Sequence, residues 1–272
     1  MIVEQMLNNA KTPLLHIADV SGSALFQGDC LDIMPLIPDK SVQLILADLP
    51  YGTTSCNWDS VLDLSKLWRE YKRIIKDDGG IVLTASQPFT SVLVYSNLNM
   101  FKYEWIWCKN QGSNFATVKY QPMKEHESVL VFGKGKVKYN PIMQQRSKSA
   151  QERFKYALTE YKGDKRDVMG GLQDNGKNMN YNKDERNPSS YQFFNVVPRH
   201  KGTLHPTQKP LELMKYLIST YSNENDTVLD NTMGSGTTCL GAKELNRRFI
   251  GIEKEVKYYD LAVARVFGQH CH

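Results

Sequence analysis

Residues 227–238 read TVLDNTMGSGTT and join an apolar strand, a glycine-rich turn and the start of a helix. Glycines allow the main chain to approach a ligand closely, and the exposed N–H groups of a helix N-terminus favour an electron-rich or anionic partner. The spacing matches neither G-x-G-x-x-G nor G-x-x-x-x-G-K-[ST], so a dinucleotide or Walker-type site is not expected. The stretch therefore predicts another kind of ligand site at the carboxyl end of a strand.

A second acidic residue, Glu253, ends the strand that follows, which reads FIGIE. An acid at this place is suited to accept hydrogen bonds from ribose hydroxyls. The alternative is that Asp230 and Glu253 only cap the helices that follow them. Because the two acids come in the order strand, glycine turn, helix, strand, we interpret them as a nucleoside-binding pair.

The rest of the chain alternates strands with helices, which predicts an α/β fold with a doubly wound, mainly parallel sheet. Strands are predicted from short apolar runs and helices from apolar residues at helical spacing. The sequence DDGG at 77–80 is expected to end the second helix. The predicted strands are 23–29, 42–47, 81–86, 103–109, 127–134, 227–232 and 249–255, and the predicted helices are 30–41, 61–76, 210–221, 237–246 and a last one that ends at Phe267.

A second polar turn, Asp48-Leu49-Pro50-Tyr51, follows the buried strand 42–47. An exocyclic amino group attacks poorly because its lone pair is delocalised into the base. Its nucleophilicity would rise if its N–H groups donated hydrogen bonds to a carboxylate and to a neighbouring backbone carbonyl. Tyr51 would stack on a base flipped out of its helix, and Pro50 would fix the turn. The alternative is a plain strand-to-loop turn with a solvated Asp48.

The positive charge of the chain is concentrated in one segment. The 272 residues carry a formal net charge of +5, but residues 134–201 alone have 15 Lys and Arg against 7 Asp and Glu, a net of +8, which leaves −3 elsewhere. The segment has only seven Ile, Leu and Val among eight aromatic residues and twelve Asn or Gln, without clear periodicity. We interpret it as an inserted segment that faces a polyanion.

Composition excludes several classes of protein. Hydrophobic residues at 41% and charged residues at 23% are ordinary for a globular protein and exclude disordered and fibrous chains. No apolar window is long enough for a membrane span, and the N-terminus does not read as a secretory signal. Five cysteines without a C-x-x-C pair predict reduced thiols, a cytoplasmic location and no metal site, and the histidines are not at a metal-ligand spacing.

The two turns, in this order, resemble the motifs of S-adenosylmethionine-dependent DNA amino-methyltransferases of the permuted beta group. That group has a D-P-P-Y motif before the target-recognition region and a late D-P-F-x-G-S-G-T-T motif, which correspond to DLPYG at 48–52 and DNTMGSGTT at 230–238. A third element, H-P-T-x-K-P, corresponds to HPTQKP at 205–210. The resemblance implies a circularly permuted, Rossmann-like methyltransferase sheet, with a catalytic domain from 1–133 and 202–272 and a target-recognition insert at 134–201.

The resemblance also implies roles for the matching residues. Asp29 would accept a hydrogen bond from the adenine amino group of the cofactor. Thr207 and Lys209 would lie near the carboxylate of the cofactor. Leu49 replaces a proline of the family, but this position contributes its backbone carbonyl. Asn231-Thr232 replaces Pro-Phe, which is expected to change the packing around the cofactor. The amino-group site would comprise Asp48, Leu49, Pro50 and Tyr51, and the S-adenosylmethionine site Asp29, Asp48, Thr207, Lys209, Asp230, Gly234, Ser235, Gly236, Thr237, Thr238 and Glu253.

One more loop is a candidate for contact with the flipped base or its phosphate, by analogy with the family. It follows the strand 103–109 and contains Lys109, Asn110, Ser113 and Asn114. Purely structural roles are the alternative for these residues. In the strand itself, alternation is expected to turn either Trp105 or Trp107 towards the core.

The function implied by the resemblance is sequence-specific adenine-N6 methylation of double-stranded DNA, because cytosine-N4 members more often carry Ser at the position of Asp48. Cytosine-N4 methylation is the alternative. The order of the motifs disfavours amino methylation of RNA or of a protein glutamine, and the intact motifs disfavour a DNA-binding module with a vestigial cofactor fold. A second copy of the chain and a separate cognate restriction endonuclease stay open as partners; a membrane is not expected.

Overall fold

The computed structural model describes residues 2–18, 22–52, 62–152, 184–198 and 208–268. Nine of its strands form one sheet and two short strands form another. Numbered in chain order, the strands are β1 (His16–Ala18), β2 (Ala24–Gln27), β3 (Val42–Asp48), β4 (Ile75–Ala85), β5 (Phe101–Cys108), β6 (His126–Phe132), β7 (Gln144–Gln145), β8 (Glu185–Arg186), β9 (Tyr191–Phe193), β10 (Thr227–Asp230) and β11 (Arg248–Glu253).

The large sheet has the order β1-β2-β11-β10-β3-β4-β6-β5-β9. Its central strands β2, β11, β10, β3 and β4 are parallel, whereas β6 is antiparallel to both β4 and β5. The predicted mainly parallel sheet is therefore confirmed. Because β10 and β11 come late in the chain but lie between β2 and β3, the strand order has the predicted permuted character.

Helices cover both faces of this sheet. One core contains α1 (Ile2–Asn9), α2 (Cys30–Ile33), α3 (Leu64–Ile74) and α4 (Phe89–Ser96). The other contains α5 (Leu211–Tyr221), α6 (Thr237–Glu244) and α7 (Val256–Phe267). Side chains of β3 alternate between the two cores, which is why this strand reads as a continuous apolar run. Two covered faces define a doubly wound sheet.

The prediction that DDGG at 77–80 ends a helix and precedes a strand is wrong. The helix α3 ends at Ile74, and β4 starts at once and runs through these four residues. The strand bulges here, since Val42 pairs with Ile75 but Leu44 pairs with Gly80. Gly79 permits this bulge, because a Cβ at this position would lie 2.8 Å from the carbonyl oxygen of Gln43.

The chain divides into two compact units. The larger comprises Met1–Asn140 and Ser190–His272, and the smaller comprises Pro141–Ser189. The smaller unit is thus narrower than the predicted insert 134–201, and it contains the antiparallel pair β7 and β8. Within the described ranges, no helix is both long and apolar enough to cross a membrane.

Candidate active site

Four carboxylates lie at the carboxyl ends of neighbouring strands of the large sheet. Asp48, Asp230 and Glu253 are the last residues of β3, β10 and β11, and Asp29 follows β2 by two residues. Since β11 lies between β2 and β10, Glu253 lies on the strand between those that lead to Asp29 and Asp230. The carboxyl edge of an open α/β sheet is where such folds bind ligands. Four of the residues expected at the site are thus brought to one edge.

The glycine turn after β10 has the conformation that its sequence requires. Gly234 and Gly236 have φ angles of 51° and 73°, in the left-handed region that favours glycine. Gly236 is the N-cap of α6, and no side chain caps this helix. A Cβ on Gly236 would lie 3.0 Å from the Cβ of Ala262, so the turn also packs closely on α7. The first turn of α6 can therefore face an electron-rich ligand.

Glu253 holds the glycine turn through its carboxylate. Its Oε2 accepts the N–H of Gly234 at 2.8 Å, and its Oε1 accepts the N–H of Glu255 at 2.8 Å. Burial raises the pKa of Glu253. Each carboxylate oxygen can accept a second hydrogen bond, so the backbone contacts leave capacity for ribose hydroxyls. Neither α6 nor α7 has a side-chain cap, so Glu253 holds the turn without capping a helix, and the nucleoside-binding interpretation stays a prediction.

Arg265 on α7 fixes the same turn from the other side, which the sequence pattern did not indicate. Its Nη1 donates to the Ser235 carbonyl at 3.1 Å, to the Ser235 hydroxyl at 3.2 Å and to the Thr237 hydroxyl at 2.8 Å. The side chains of Ser235 and Thr237, both predicted to bind the cofactor, are thus engaged with the protein. An arginine in the last turn of a helix gives no local signal of this contact.

Asp230 is buried at the end of β10, with 4% of its surface exposed. Its Oδ1 accepts the N–H of Thr232 at 3.2 Å, and the hydroxyl of Thr238 also donates to it. Burial raises the pKa of Asp230 to about 7, and the nearby charges of Asp48 and Glu253 act in the same direction. A buried acid of this kind gains most from a cationic ligand such as an ammonium group.

Asn231 and Thr232, which replace Pro and Phe of the family's glycine-turn motif, both make specific contacts. The buried Asn231 accepts the hydroxyl of Tyr71 at 2.5 Å and donates to the sulfur of Cys30 at 3.6 Å. The hydroxyl of Thr232 donates to the backbone carbonyl of Asp48 at 3.1 Å. The glycine turn and the Asp48 turn are therefore directly joined, by a hydrogen bond that the phenylalanine of the family motif cannot make.

Asp29 lies at the start of α2 and partly serves as its cap. Its Oδ1 accepts the N–H of Leu31 at 3.0 Å, and its Oδ2 pairs with Lys254 at 3.1 Å. Burial acts to raise the pKa of Asp29, but these two donors lower it below its ordinary value. The Lys254 side chain is 70% exposed, so this partner can give way to another donor.

Asp48 is surrounded by hydrogen-bond donors. Its Oδ1 accepts the hydroxyl of Tyr51 at 2.7 Å and that of Thr84 at 2.5 Å, and its Oδ2 accepts the Lys209 ammonium at 2.5 Å. Burial, followed by the charge of Asp48, raises the pKa of Tyr51, so this hydroxyl remains a donor. Thr84 lies one residue before the end of the strand β4 and belongs to no motif, which is why sequence reasoning missed it.

Two other residues of the Asp48 turn, Leu49 and Tyr51, differ in their burial and contacts. The Leu49 side chain is buried in the core, so this residue can offer only its backbone to a ligand. The half-buried Tyr51 ring stacks on Phe89 of α4, with ring centroids 5.3 Å apart. Phe89 was not expected at the site, because α4 itself was not predicted.

A buried cluster of four charges extends from Asp48 into the sheet. Lys209 lies 2.5 Å from Asp48 and 3.6 Å from Oε2 of Glu127, and the other oxygen of Glu127 accepts Lys109 at 2.5 Å. Burial opposes charge on both Glu127 and Lys209, but their partners keep the pKa of Glu127 low and that of Lys209 high. Lys209, expected near a cofactor carboxylate, contacts the carboxylate of Asp48, and Glu127 is an addition to the expected site.

The loop residues expected to contact DNA have structural partners. Lys109 is buried against Glu127 and lies 4.8 Å from the centre of the Trp107 ring. The Asn110 side chain accepts the N–H of Val196 at 2.9 Å. Asn114 bridges to the Pro122 carbonyl and the Lys124 N–H, and the Ser113 N–H donates to the Lys124 carbonyl. These residues shape the loop, while a role in DNA contact stays a prediction.

Trp105 and Trp107 are both buried, with 5% and 3% of their surfaces exposed. The expectation that only one of them faces the core is wrong, because residues two apart in a strand share a face. The indole of Trp105 donates to the Tyr221 hydroxyl, and that of Trp107 to the Phe194 carbonyl.

Thr207 and the rest of the HPT sequence at 205–207 lie outside the described residues. In the part of the chain that the structure describes, no group of three or more His, Cys, Asp or Glu side chains is arranged to hold a metal ion.

The fold and the site together define a class: a doubly wound α/β protein whose glycine turn lies beside the Asp48 turn at the carboxyl edge of the sheet. Comparison with known proteins gives the family. The model of the DNA methylase family (N6_N4_Mtase) matches residues 42–264. The chain therefore belongs to the N6/N4 amino-methyltransferase family of DNA methylases.

Curated relatives agree with this assignment. The chain is 29% identical over 259 residues to type II methyltransferase M1.MboII of Moraxella bovis, covering 88% of this chain and 94% of the relative. It is 30% identical over 245 residues to type II methyltransferase M.HpaI of Haemophilus parainfluenzae, covering 85% and 69%.

Two solved structures have the same fold. One is M1.HpyAVI in complex with SAM, with a TM-score of 0.57, 24% identity and coverage of 89% of this chain and 98% of the other. The second is the cytosine-N4-specific PvuII DNA methyltransferase, with a TM-score of 0.62, 15% identity and coverage of 89% and 85%.

Proposed function

We propose that this DNA methyltransferase transfers a methyl group from S-adenosylmethionine to the N6 amino group of an adenine flipped out of double-stranded DNA. The observation that carries the proposal is the hydrogen bond between the Thr232 hydroxyl and the Asp48 carbonyl at 3.1 Å. It holds the cofactor turn directly beside the amino-group turn, so that a methyl donor and an amine acceptor can be bound side by side.

The donor set at the strand ends fits S-adenosylmethionine. Asp230 suits its ammonium group, Glu253 its ribose hydroxyls and Asp29 its adenine amino group, while the uncapped N-terminus of α6 suits an electron-rich part of the ligand. When bound, S-adenosylmethionine supplies a methyl group on a positively charged sulfur, which a nitrogen lone pair can attack. No metal or redox group is needed for the roles assigned to these residues.

The protein's contribution to the chemistry lies in the Asp48 turn. Asp48 and the Leu49 carbonyl accept the two N–H groups of the target amine, which favours a tetrahedral nitrogen with an available lone pair. As the N–C bond forms and the S–C bond breaks, positive charge moves to the nitrogen, and the Asp48 carboxylate stabilises it. Loss of one N–H proton to solvent then gives the neutral, N-methylated amino group of the base.

The basic segment 134–201 is proposed to bind the DNA and to contain residues that recognise the target sequence. Its excess of Lys and Arg suits phosphate contacts, and its Asn and Gln suit contacts to base edges. Since its relatives include type II methyltransferases, we also propose that the chain protects DNA against a separate restriction endonuclease.

The proposal is tested by incubating the purified chain with labelled S-adenosylmethionine and unmethylated plasmid, followed by digestion to nucleosides and mass spectrometry. We expect N6-methyldeoxyadenosine. N4-methyldeoxycytidine would replace the proposed base while keeping the amine chemistry. Measurable binding of S-adenosylmethionine without methyl transfer to DNA would contradict the enzymatic function.

A further inference from the structure

We propose that Glu127 is a positioning residue that draws the Lys209 ammonium away from Asp48 when the target amine binds. The inference rests on the proposed role of Asp48 as the acceptor of the amine. It concerns a residue on β6, a strand that carries none of the family motifs discussed above. The evidence comes from the hydrogen bonds around Asp48 and from the unequal use of the two Glu127 oxygens.

In the observed arrangement, Asp48 has little capacity left for an amine. Its Oδ1 accepts two hydroxyl donors, Tyr51 and Thr84, which use both lone pairs of that oxygen. Its Oδ2 accepts the Lys209 ammonium. An incoming N–H group can therefore bind only at the second lone pair of Oδ2, beside a full positive charge. That charge also opposes the positive charge that develops on the amine during methyl transfer.

Glu127 offers the ammonium another acceptor. Its Oε1 accepts Lys109 at 2.5 Å, whereas its Oε2 lies 3.6 Å from Nζ of Lys209. Oε2 is buried and has no hydrogen-bond partner among the described residues. A buried carboxylate oxygen without a donor is costly. A shift of Lys209 by roughly 1 Å would create this missing hydrogen bond at normal length and release Oδ2 of Asp48.

The surroundings of Lys209 allow its ammonium group to move from Asp48 to Glu127 without loss of charge balance. The side chains of Lys209, Glu127 and Lys109 are only 10%, 14% and 8% exposed, so water is a poor substitute for either partner. Lys209 remains paired with a carboxylate before and after the shift. The cluster keeps two positive and two negative charges, so the movement exchanges one buried ion pair for another.

A purely structural role is the competing explanation, in which Glu127 only neutralises two buried lysines. The two explanations differ in what Glu127→Gln changes. A structural role predicts lower stability and no specific effect on the chemical step. A positioning role predicts a slower chemical step even where the variant is folded and binds its cofactor.

The test measures the single-turnover rate of methyl transfer, the dissociation constant for S-adenosylmethionine and the thermal unfolding midpoint. We expect Glu127→Gln to slow single turnover by about tenfold or more, the effect of about 1.4 kcal/mol on a barrier. In a Lys209→Gln background the same substitution should have almost no further effect, because Glu127 acts through Lys209. Glu104→Gln removes an exposed charge from the adjoining strand β5 and serves as the matched control.

Two results would overturn the inference: a single-turnover rate of Glu127→Gln equal to that of the wild type, or an undiminished effect in the Lys209→Gln background. If Glu127→Gln does not fold, Glu127→Asp keeps the charge but withdraws the carboxylate from Lys209. We then expect a slower single turnover at an unchanged dissociation constant for S-adenosylmethionine, and a wild-type rate would refute the inference. Absence of transfer by the wild type would instead refute the proposed function.

Discussion

Asp48 and Asp230 are identical side chains with different surroundings. Asp48 accepts an ammonium and two hydroxyl groups, whereas the described donors to Asp230 are the uncharged Thr232 N–H and Thr238 hydroxyl. Because Asp230 is buried, its pKa rises to about 7. At the residue scale, these surroundings fit the proposed roles, in which Asp48 polarises the target amine and Asp230 receives a cation.

The raised pKa of Asp230 predicts a pH dependence of cofactor binding. Only the ionised carboxylate pairs with the ammonium group of S-adenosylmethionine, so affinity should increase as pH rises through about 7. Between pH 6 and pH 8 we expect the dissociation constant to fall about tenfold in calorimetric titrations. Asp230→Asn should flatten this dependence. A wild-type dissociation constant that stays the same between pH 6 and pH 8 would contradict the role of Asp230.

The same pKa has a consequence for stability without ligand. The folded state holds the proton of Asp230 up to about pH 7, whereas the ordinary value is 3.8. The folded state therefore binds more protons than the unfolded state between these values. The contribution of Asp230 to the free energy of unfolding falls as pH rises from about 4 to about 7.

At the scale of elements, the hydrogen bond from Thr232 to the Asp48 carbonyl joins the two functional turns. Thr232→Val removes this bond at nearly constant volume and should slow single-turnover methyl transfer about fivefold, as expected for about 1 kcal/mol. Thr220→Val is a matched control, since it removes a hydroxyl-to-carbonyl bond within α5, away from the site. Equal transfer rates for Thr232→Val and the wild type would show that the bond does not align the turns.

The glycine turn allows a separate test of close packing. Gly236 and Gly268 both have positive φ, but their surroundings differ. A Cβ on Gly236 would lie 3.0 Å from Ala262, whereas a Cβ on Gly268 would have nothing within 4 Å. Both alanine variants should lose about 1 kcal/mol from backbone strain. Gly236→Ala should lose additional stability in urea unfolding and weaken cofactor binding. Equal losses for the two variants would contradict the packing argument.

Much of the fold could be predicted because its strands are short apolar runs between polar turns. The strands β2, β3, β10 and β11, and the acids that end or follow them, are examples. The helix α4 was missed because FTSVLVYS at 89–96 is rich in β-branched and aromatic residues and is preceded by Pro88, without a side-chain cap.

The unpredicted part of the site comes from residues without a local pattern. Three such residues are Glu127 on β6, Thr84 on β4 and Arg265 on α7. The tertiary structure brings the side chain of each into contact with a residue that was predicted at the site. A sequence motif records residues that are close along the chain. Contacts between distant elements leave no such signal in a single sequence.

At the scale of the whole molecule, charge is divided between a basic segment at +8 and a remainder at −3. If the basic segment contacts phosphates, the affinity for an unmethylated duplex should fall steeply between 50 and 200 mM salt, by roughly 10³-fold for about six contacts. Lys136 and Lys148 are exposed residues of this segment. Changing both to Gln should reduce the slope of log K against log salt by about 2.

Fluorescence anisotropy of a labelled duplex measures this dependence. Lys72→Gln, on the exposed side of α3 and outside the basic segment, is the control and should leave the slope unchanged. A flat salt response of the wild type would argue against phosphate contacts from residues 134–201.

The central claim is that the Asp48 carboxylate activates the target amine. It is tested most directly by single-turnover methyl transfer to DNA with Asp48→Ala, alongside binding of S-adenosylmethionine to the same variant. Asp260→Ala, which removes an exposed carboxylate from α7, is the control. We predict a loss of transfer of roughly 10³-fold or more, with cofactor binding at least partly retained. Transfer by Asp48→Ala at the wild-type rate would contradict the claim.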